Sequence, residues 1–142
     1  MRGKLLFFDT NILYYTFDET EPEKRKISEK LIEKVFNQEI VGVISNQILG
    51  ELFNSSPKLE IPLDKIKIFV KYLINSEKWY KINYTQYTIE HAMNNFEKSK
   101  APFWDLLIGE TMKENGIIEI VTENEKDFES IPGIKVTNPF KP

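Results

Sequence analysis

The sequence predicts a layered α/β fold built around a parallel sheet. Residues 4–8 and 40–44 form two short apolar runs without polar alternation, a pattern typical of strands that are covered on both faces. Segments with helical periodicity lie between the candidate strands. Because parallel neighbours need long crossover connections, which helices usually provide, this alternation favours helices packed on a parallel sheet.

The elements can be placed in order along the chain. After the first strand, apolar residues recur at helical spacing over residues 23–36, and Pro22 stands where a first helical turn tolerates proline. The second run leads directly into a helix over residues 47–53, with Ser45 or Asn46 as its cap. The sequence then predicts helices over residues 64–74, 85–96 and 103–114, and strands over residues 79–82, 117–121 and 134–137.

The composition fits one globular domain that spans residues 1–142. Hydrophobic residues make up 41% of the chain, enough to close a core. Aromatic residues are frequent at 13%, which argues against disorder. No Pro/Gly/Ser-rich linker, low-complexity run or internal repeat divides the sequence, so we expect a single domain.

Cysteine content and charge restrict the possible sites and partners. The chain has no cysteine, so disulfides and thiolate zinc sites are excluded, which suits the cytoplasm where we expect the protein. The first apolar run ends at Asp9 and is far too short for a signal peptide or a membrane span, so we expect no membrane association. With a formal net charge of -3, the chain would need a local basic patch or bound cations to hold a polyanion.

Acidic residues follow the first two predicted strands. Asp9 comes directly after the first strand, and in open parallel sheets ligands bind outside the carboxyl ends of the strands. Glu51 lies about two helical turns after the second strand, beside the apolar stripe of its helix. Taken singly, Asp9 is better explained as a turn or helix-capping residue, supported by Thr10 and Asn11. A glutamate at the edge of a helix is usually a solvated side chain.

Two further acidic positions occur in the second half of the chain. Asp105 lies in the first turn of the helix that follows Pro102, where the helix dipole favours a carboxylate whether or not it has another function. The loop after the strand at residues 117–121 is rich in charged and polar side chains, and which of its carboxylates turns inward is open. The polar side chains of this loop are those of Thr122, Glu123, Asn124, Glu125 and Asp127. Phe128 could anchor the loop and so orient Asp127.

The common location of these positions favours a cation site. Asp9, Glu51, Asp105 and Asp127 all belong to regions near strand exits. Carboxylates that lie close together repel one another, and a proton or a cation must relieve that repulsion. Mg²⁺ or Mn²⁺ is the natural counter-charge, because both prefer oxygen ligands and retain waters. Such a site can orient a phosphate and lower the pKa of a bound water.

Four motifs, in this order along the chain, carry a resemblance to a known family. They are FFDTNILYY, the glutamate of ISNQILGELF, the helix start FWDLLIGE, and VTENEKDF followed by IPGIKVTNPF. With these motifs the sequence resembles the PIN-domain family, in particular the VapC-type toxin ribonucleases of toxin–antitoxin pairs. The resemblance runs from about Leu5 to Phe140, nearly the whole chain.

The resemblance implies both a fold and an activity. It implies a three-layer α/β/α domain with a mostly parallel sheet of about five strands, and a Mg²⁺- or Mn²⁺-dependent endoribonuclease that cleaves RNA with a metal-activated water. It further implies a small antitoxin partner and a homodimer. By position, the catalytic metal ligands would be Asp9, Glu51, Asp105 and Asp127, with Asn11, Thr122 and Asn124 as supporting residues.

Two other functions are compatible with an acidic rim. The protein could be a non-catalytic interaction module that binds a basic partner by electrostatics alone. It could also be an aspartyl-phosphate phosphotransferase or receiver-like domain, because an Asp at a strand end can accept a phosphoryl group. The sequence Asp9-Thr10-Asn11 argues against the latter, since it lacks the second Asp, two places on, that one such hydrolase family uses.

Overall fold

A central sheet of five parallel strands organises the structure. The computed structural model describes residues 3–142, so Met1 and Arg2, which the predicted domain includes, lie outside the described residues. The strands pair in the order β3-β2-β1-β4-β5, and every pairing is parallel. They are β1 (Leu5–Phe8), β2 (Val41–Ser45), β3 (Trp79–Ile82), β4 (Glu119–Val121) and β5 (Lys135–Thr137). The predicted parallel α/β fold is confirmed.

Seven α-helices connect the strands among residues 3–142. They are α1 (Thr10–Tyr14), α2 (Pro22–Phe36), α3 (Asn46–Asn54), α4 (Leu63–Asn75), α5 (Gln86–Asn95), α6 (Phe103–Glu114) and α7 (Glu125–Glu129). Short 3-10 turns, Tyr15–Phe17 and Phe96–Lys98, follow α1 and α5. Within this described part of the chain, no helix combines the length and the apolar composition that spanning a membrane requires.

The connections divide the helices between the two faces of the sheet. From β1 the chain passes through β2 to β3 at one edge, then returns past β1 to β4 and β5. Because parallel crossovers are right-handed in nearly all proteins, helices before and after β3 lie on opposite faces. Accordingly α3 contacts α1 and α4, whereas α6 contacts α5 and α7. The expected three-layer α/β/α arrangement is confirmed, and its strand order reverses between β1 and β4.

The buried core forms between the sheet and both helix layers. Phe7 and Phe8 of β1, the central strand, are completely buried, as its continuous apolar sequence predicts. Phe8 packs edge-on against Trp79 of β3, with 4.9 Å between the ring centroids. Phe128 is also completely buried and fixes α7 to the core, in the anchoring role expected for it.

Several boundaries differ from the sequence prediction. The sequence did not predict α1 and α7, which are only five residues long. Strand β4 begins at Glu119 rather than at Ile117, because the Ile117 amide donates to the Met112 carbonyl (2.9 Å) and completes the end of α6. Gly116 makes this turn possible with a φ of 73°.

Candidate functional site

The candidate site lies at the carboxyl ends of β1, β2 and β4. It is therefore at the point where the strand order reverses, the place where open α/β sheets commonly form a ligand crevice. Asp9 directly follows β1 and is the N-cap of α1, with its Oδ1 accepting from the Thr10 amide (2.8 Å). Its Oδ2 accepts from Thr122 Oγ1 (2.6 Å) and from Asn11 Nδ2 (3.2 Å). These donors hold both carboxylate oxygens at the sheet edge.

Asp9 carries its charge in an unfavourable environment. The side chain is only 7% exposed. Burial raises the pKa of Asp9 above its ordinary value, and the nearby Glu51 carboxylate raises it further, although the bonds from Thr122 and Thr10 act in the opposite direction. A neighbouring cation would remove this conflict.

Glu51 leans over the same edge from helix α3. The helix starts where β2 ends, since Ser45 Oγ accepts from the Ile48 amide (3.3 Å) as its N-cap. Glu51 Oε1 accepts from Thr10 Oγ1 (2.8 Å), and Oε2 accepts from Gln47 Nε2 (3.0 Å). Gln47 also donates to the Trp104 carbonyl (3.3 Å), which links α3 to the start of α6. The glutamate is thus held in place by two donors, unlike a freely solvated side chain.

Asp105 lies in the first turn of α6, where the charges of all the other acids of the site affect its pKa. Burial is the largest influence, and the charges of Asp9, Asp127 and Glu51 add to it, so that the pKa of Asp105 rises to about 7. A carboxylate responds in this way only to acids that lie close to it. The four predicted acids therefore form one cluster, although they come from separate parts of the chain.

The supporting polar residues connect this acidic cluster. Asn124 Nδ2 donates to Asp127 Oδ2 (2.9 Å) and to Asp105 Oδ2 (3.3 Å), and so bridges two of the acids. The Asn124 amide donates to Thr122 Oγ1 (2.9 Å), the same hydroxyl that donates to Asp9. Through Thr122 and Asn124, one set of contacts extends from β1 to α7.

The structure also identifies which acid of the loop after β4 faces the cluster. Asp127, the residue that the family resemblance points to, accepts from Asn124 there, whereas Glu123 turns away and binds Lys24 and the hydroxyl of Tyr15 (2.6 Å). Glu125 likewise turns away and forms a salt bridge with Lys141. The Glu123 backbone amide donates to Asn11 Oδ1 (3.2 Å), so Asn11 supports both this loop and Asp9.

Thr10 and Gln47 were not among the predicted site residues. A signal for each existed in the sequence. Thr10 follows Asp9 directly, and Gln47 precedes Glu51 by four residues, a spacing at which helical side chains meet. Neither signal is specific enough to select these residues without the folded contacts.

The carboxylate oxygens of the cluster are suitable ligands for a hard divalent cation. Among residues 3–142, no three His, Cys, Asp or Glu side chains lie, as they stand, in an arrangement that could hold a metal ion. Mg²⁺, however, typically uses one or two carboxylates and keeps several waters or substrate oxygens as its other ligands. The ligand atoms that the acids offer are all oxygen atoms. Burial, together with the charges of the other acids, raises the pKa of Asp105, and a cation would relieve the repulsion between these carboxylates. Asp9, Glu51, Asp105 and Asp127 could hold Mg²⁺ or Mn²⁺.

Comparisons with known proteins support this architecture. The family model of the PIN domain matches residues 6–134. A toxin–antitoxin complex from Klebsiella pneumoniae has a similar fold, with a TM-score of 0.66 and 24% identity over 94% of this chain and 97% of that one. VapC20 from Mycobacterium tuberculosis, a sarcin–ricin loop cleaving toxin, has a TM-score of 0.70 and 14% identity over 92% and 98% of the two chains.

A third solved structure is similar over almost its full length. DNA-bound VapBC from Salmonella typhimurium has a TM-score of 0.62 and 22% identity, and the similarity covers 98% of this chain and 99% of that one. No curated protein sequence gives a significant match. At these identities the solved structures establish the fold, while the family model covers most of the sequence. The chain belongs to the PIN domain family.

Proposed function

We propose that the chain is one PIN domain over residues 1–142 and acts as a metal-dependent endoribonuclease that hydrolyses RNA phosphodiester bonds. The observation that carries the proposal is the convergence of Asp9, Glu51, Asp105 and Asp127 at one sheet edge, where burial and the charges of the neighbouring acids raise the pKa of Asp9 and of Asp105. An excess of carboxylates at a strand-order reversal is suited to binding a hard cation and a phosphate. The PIN domain match supports a nuclease.

The residues of the site would have two roles, holding the metal ion and orienting its ligands. Asp9, Glu51, Asp105 and Asp127 would hold the ion, Mg²⁺ or Mn²⁺. When bound, such an ion polarises a phosphoryl oxygen and lowers the pKa of a bound water. Thr122 and Asn11 fix the oxygens of Asp9, while Thr10 and Gln47 fix those of Glu51. Asn124 sets the separation of Asp105 and Asp127.

We assign the protein to the toxin class of PIN nucleases. The support is that the solved structures with this fold include a toxin–antitoxin complex and the toxin VapC20. The toxin of a type II toxin–antitoxin system would act on RNA in the cytoplasm, assemble as a homodimer, and be held inactive by a small antitoxin. Similarity to VapBC complexes supports the antitoxin as partner.

A cleavage assay tests the proposed activity. The purified chain is incubated with ribosomal RNA in Mg²⁺, in Mn²⁺ or in EDTA. We expect cleavage only with the divalent ion, and a loss of at least about a hundredfold in kcat/KM for Asp9→Asn, since ligands matter more than the outer contacts whose loss costs about 10- to 100-fold. Asp64→Asn, an exposed aspartate in the first turn of α4, is the matched control and should retain activity within about twofold.

Other outcomes would distinguish the alternative functions. Binding without cleavage under any divalent ion would indicate a non-catalytic interaction module. Incorporation of phosphate into the wild-type chain but not into Asp9→Asn, after incubation with a phosphoryl donor, would indicate an aspartyl-phosphate enzyme. Cleavage that persists in EDTA, or in Asp9→Asn, would contradict the metal-dependent site proposed here.

A further inference from the structure

A cavity of about 500 Å³ adjoins the acidic cluster. Asn124 belongs to both, because it lines the cavity while its amide donates to Asp105 and Asp127. The wall combines residues of α2, the loop and first turn around α7, and the segment that follows β5. Ligand pockets typically measure about 300–1,000 Å³, so the space is sufficient for one nucleotide unit.

The lining of the cavity has more positively than negatively charged side chains, although the protein as a whole is acidic. Its lining has three lysines, Lys24, Lys126 and Lys141, but only two acids, Glu123 and Glu125, whereas the formal charge of the chain is -3. Lys126 is exposed and makes no salt bridge with a carboxylate among residues 3–142. An RNA strand at the neighbouring cluster would be repelled by the carboxylates, and cations beside its path would offset that repulsion.

The two glutamates hold the other lysines in position at the rim. Glu123 binds Lys24, whose ammonium lies 5.1 Å from the centre of the Tyr15 ring and 5.6 Å from that of Phe140. Glu125 Oε2 is 2.5 Å from Lys141 Nζ. A lysine that already has a partner loses less conformational freedom when a ligand binds than a lysine without one, and this applies more to Lys24 than to Lys141, whose side chain is 66% exposed. An ammonium group has three donors, so each lysine keeps donors for an anion.

We propose that this cavity is a subsite for the RNA backbone next to the phosphate that is cleaved. Lys126 contacts the phosphate directly, and Lys24 and Lys141 contribute charge from fixed positions. The inference rests on the proposed function and adds the direction in which the substrate leaves the acidic cluster, towards α7 and the segment after β5. The contact is to the backbone, so it strengthens binding without reading the base sequence.

An RNA-binding experiment tests the subsite. Fluorescence anisotropy measures the affinity of a labelled, single-stranded 12-nucleotide RNA of random sequence for the Asp9→Asn protein, which leaves the RNA intact. Lys126→Gln and Lys126→Glu are added to this background. Lys67→Gln and Lys67→Glu are the matched controls, because Lys67 is exposed on α4, which leads into β3 at the edge of the sheet opposite β5.

We expect Lys126→Gln to weaken binding about three- to tenfold at low salt and Lys126→Glu to weaken it further. The slope of log Kd against log salt should fall by about 1 for Lys126→Gln, as for the loss of one phosphate contact. In the protein with Asp9 intact, Lys126→Gln should raise KM and leave kcat within about twofold, because the contact binds substrate and transition state equally. The Lys67 variants should change none of these quantities.

Equal affinity and equal salt slope for the Lys126 and Lys67 variants, in a protein that binds RNA, would overturn the subsite. The same result would follow if the cavity instead received an acidic segment of a partner protein. If the parent chain neither binds nor cleaves RNA, the proposed function itself fails, and the subsite with it. That outcome differs from the first, in which the protein binds RNA but the Lys126 substitutions have no specific effect. Unchanged thermal melting of Lys126→Gln would exclude a structural cause for weaker binding.

Discussion

At the scale of single residues, the acids of the site depend on the donors that orient them. Gln47 uses both hydrogens of its amide, one towards Glu51 Oε2 and one towards the Trp104 carbonyl. Both partners are acceptors, so the chemistry itself fixes which end of the amide faces them. Gln47 thereby ties the acid of α3 to the helix that carries Asp105, and it acts as a positioning residue for Glu51.

Gln47→Leu should separate this positioning role from folding. The substitution removes the donor and leaves a side chain of similar size, so we expect kcat/KM to fall about tenfold, in the range seen when contacts behind a metal ligand are lost. Titration with Mn²⁺ should show weaker ion binding by a similar factor. Gln86→Leu, on an exposed position of α5, is the matched control and should leave both quantities unchanged. Equal effects of the two substitutions would contradict the role given to Gln47.

The positions of Asp9, Glu51 and Asp105 near strand exits could be predicted from the sequence, but the choice of Asp127 within its loop and the contacts that orient the acids could not. Asp9 and Asp105 stand in motifs at predictable positions of a strand and a helix. The choice of Asp127 over Glu123 depends on Lys24 and Tyr15, which are more than 95 residues distant in sequence from Glu123. A local pattern contains no information about such a partner.

At the scale of elements, the junctions between strands and helices determine where the acids lie. Strand β2 passes into α3 at Ser45, which is both the last residue of the strand and the cap of the helix. The helix axis, and with it Glu51, is therefore fixed directly at the sheet edge. The short helices α1 and α7 escaped prediction because five residues make less than two turns, too few for a periodic apolar pattern.

Ser45→Ala should measure the contribution of this cap. The loss of the bond to the Ile48 amide should lower the free energy of unfolding by about 1 kcal/mol, as for other N-caps. Ser28→Ala is the matched control, since Ser28 is equally buried but its hydroxyl has no hydrogen-bond partner among the described residues. That substitution should be neutral or slightly stabilising, because it removes an unpaired buried polar group. Denaturation with urea would give both values, and an equal loss in both variants would argue against the cap.

Two glycines should respond in opposite ways to alanine. At Gly42 in β2, a Cβ atom would lie 2.6 Å from the Trp79 ring and 3.0 Å from the Val35 side chain. Both residues are buried, so we expect a loss of about 1–3 kcal/mol of stability from overpacking. At Gly50 in α3 a Cβ atom would meet nothing within 4 Å. There alanine should add about 0.5–1 kcal/mol, because it favours the helix. Destabilisation by both substitutions would show that the room around the added Cβ atom does not determine the change in stability.

At the scale of the whole molecule, the acidic cluster couples stability to pH and to metal. The pKa of Asp105 is raised from its ordinary value of 3.8 to about 7, and that of Asp9 is also raised, so the folded protein holds protons that the unfolded chain releases. Between about pH 4 and pH 7 the folded state therefore binds more protons than the unfolded state. By linkage, the contribution of these groups to stability falls as pH rises through that window.

Thermal unfolding of the metal-free protein should show this dependence. We expect Asp105→Asn to be stabilised relative to the wild type at pH 7.5, and to differ less from it at pH 4.5, where the wild-type carboxyl is protonated. Addition of Mn²⁺ at pH 7.5 should raise the Tm of the wild type more than that of Asp105→Asn, because a ligand that binds only the folded state stabilises it. Equal Tm differences at the two pH values would refute the shifted pKa of Asp105.

The overall architecture was accessible from the sequence, since continuous apolar strands and periodic helices specify which surfaces must be buried. The strand order was not, because it depends on which buried strands lie next to one another. Strand β1 pairs with both β2 and β4, and this arrangement brings the exits of β1 and β4 together. The site thus depends on which strands pair in the sheet, and the separate motifs do not specify that pairing.

The bond between Asp9 and Thr122 joins residues that are 113 positions apart. During translation, Asp9 leaves the ribosome well before Thr122 and Asp127, and the cluster is complete only after these residues have emerged. If the cluster is the catalytic centre, a nascent chain that has not yet exposed Asp127 cannot cut the RNA that surrounds it, and the cell has until that point to supply an inhibitor.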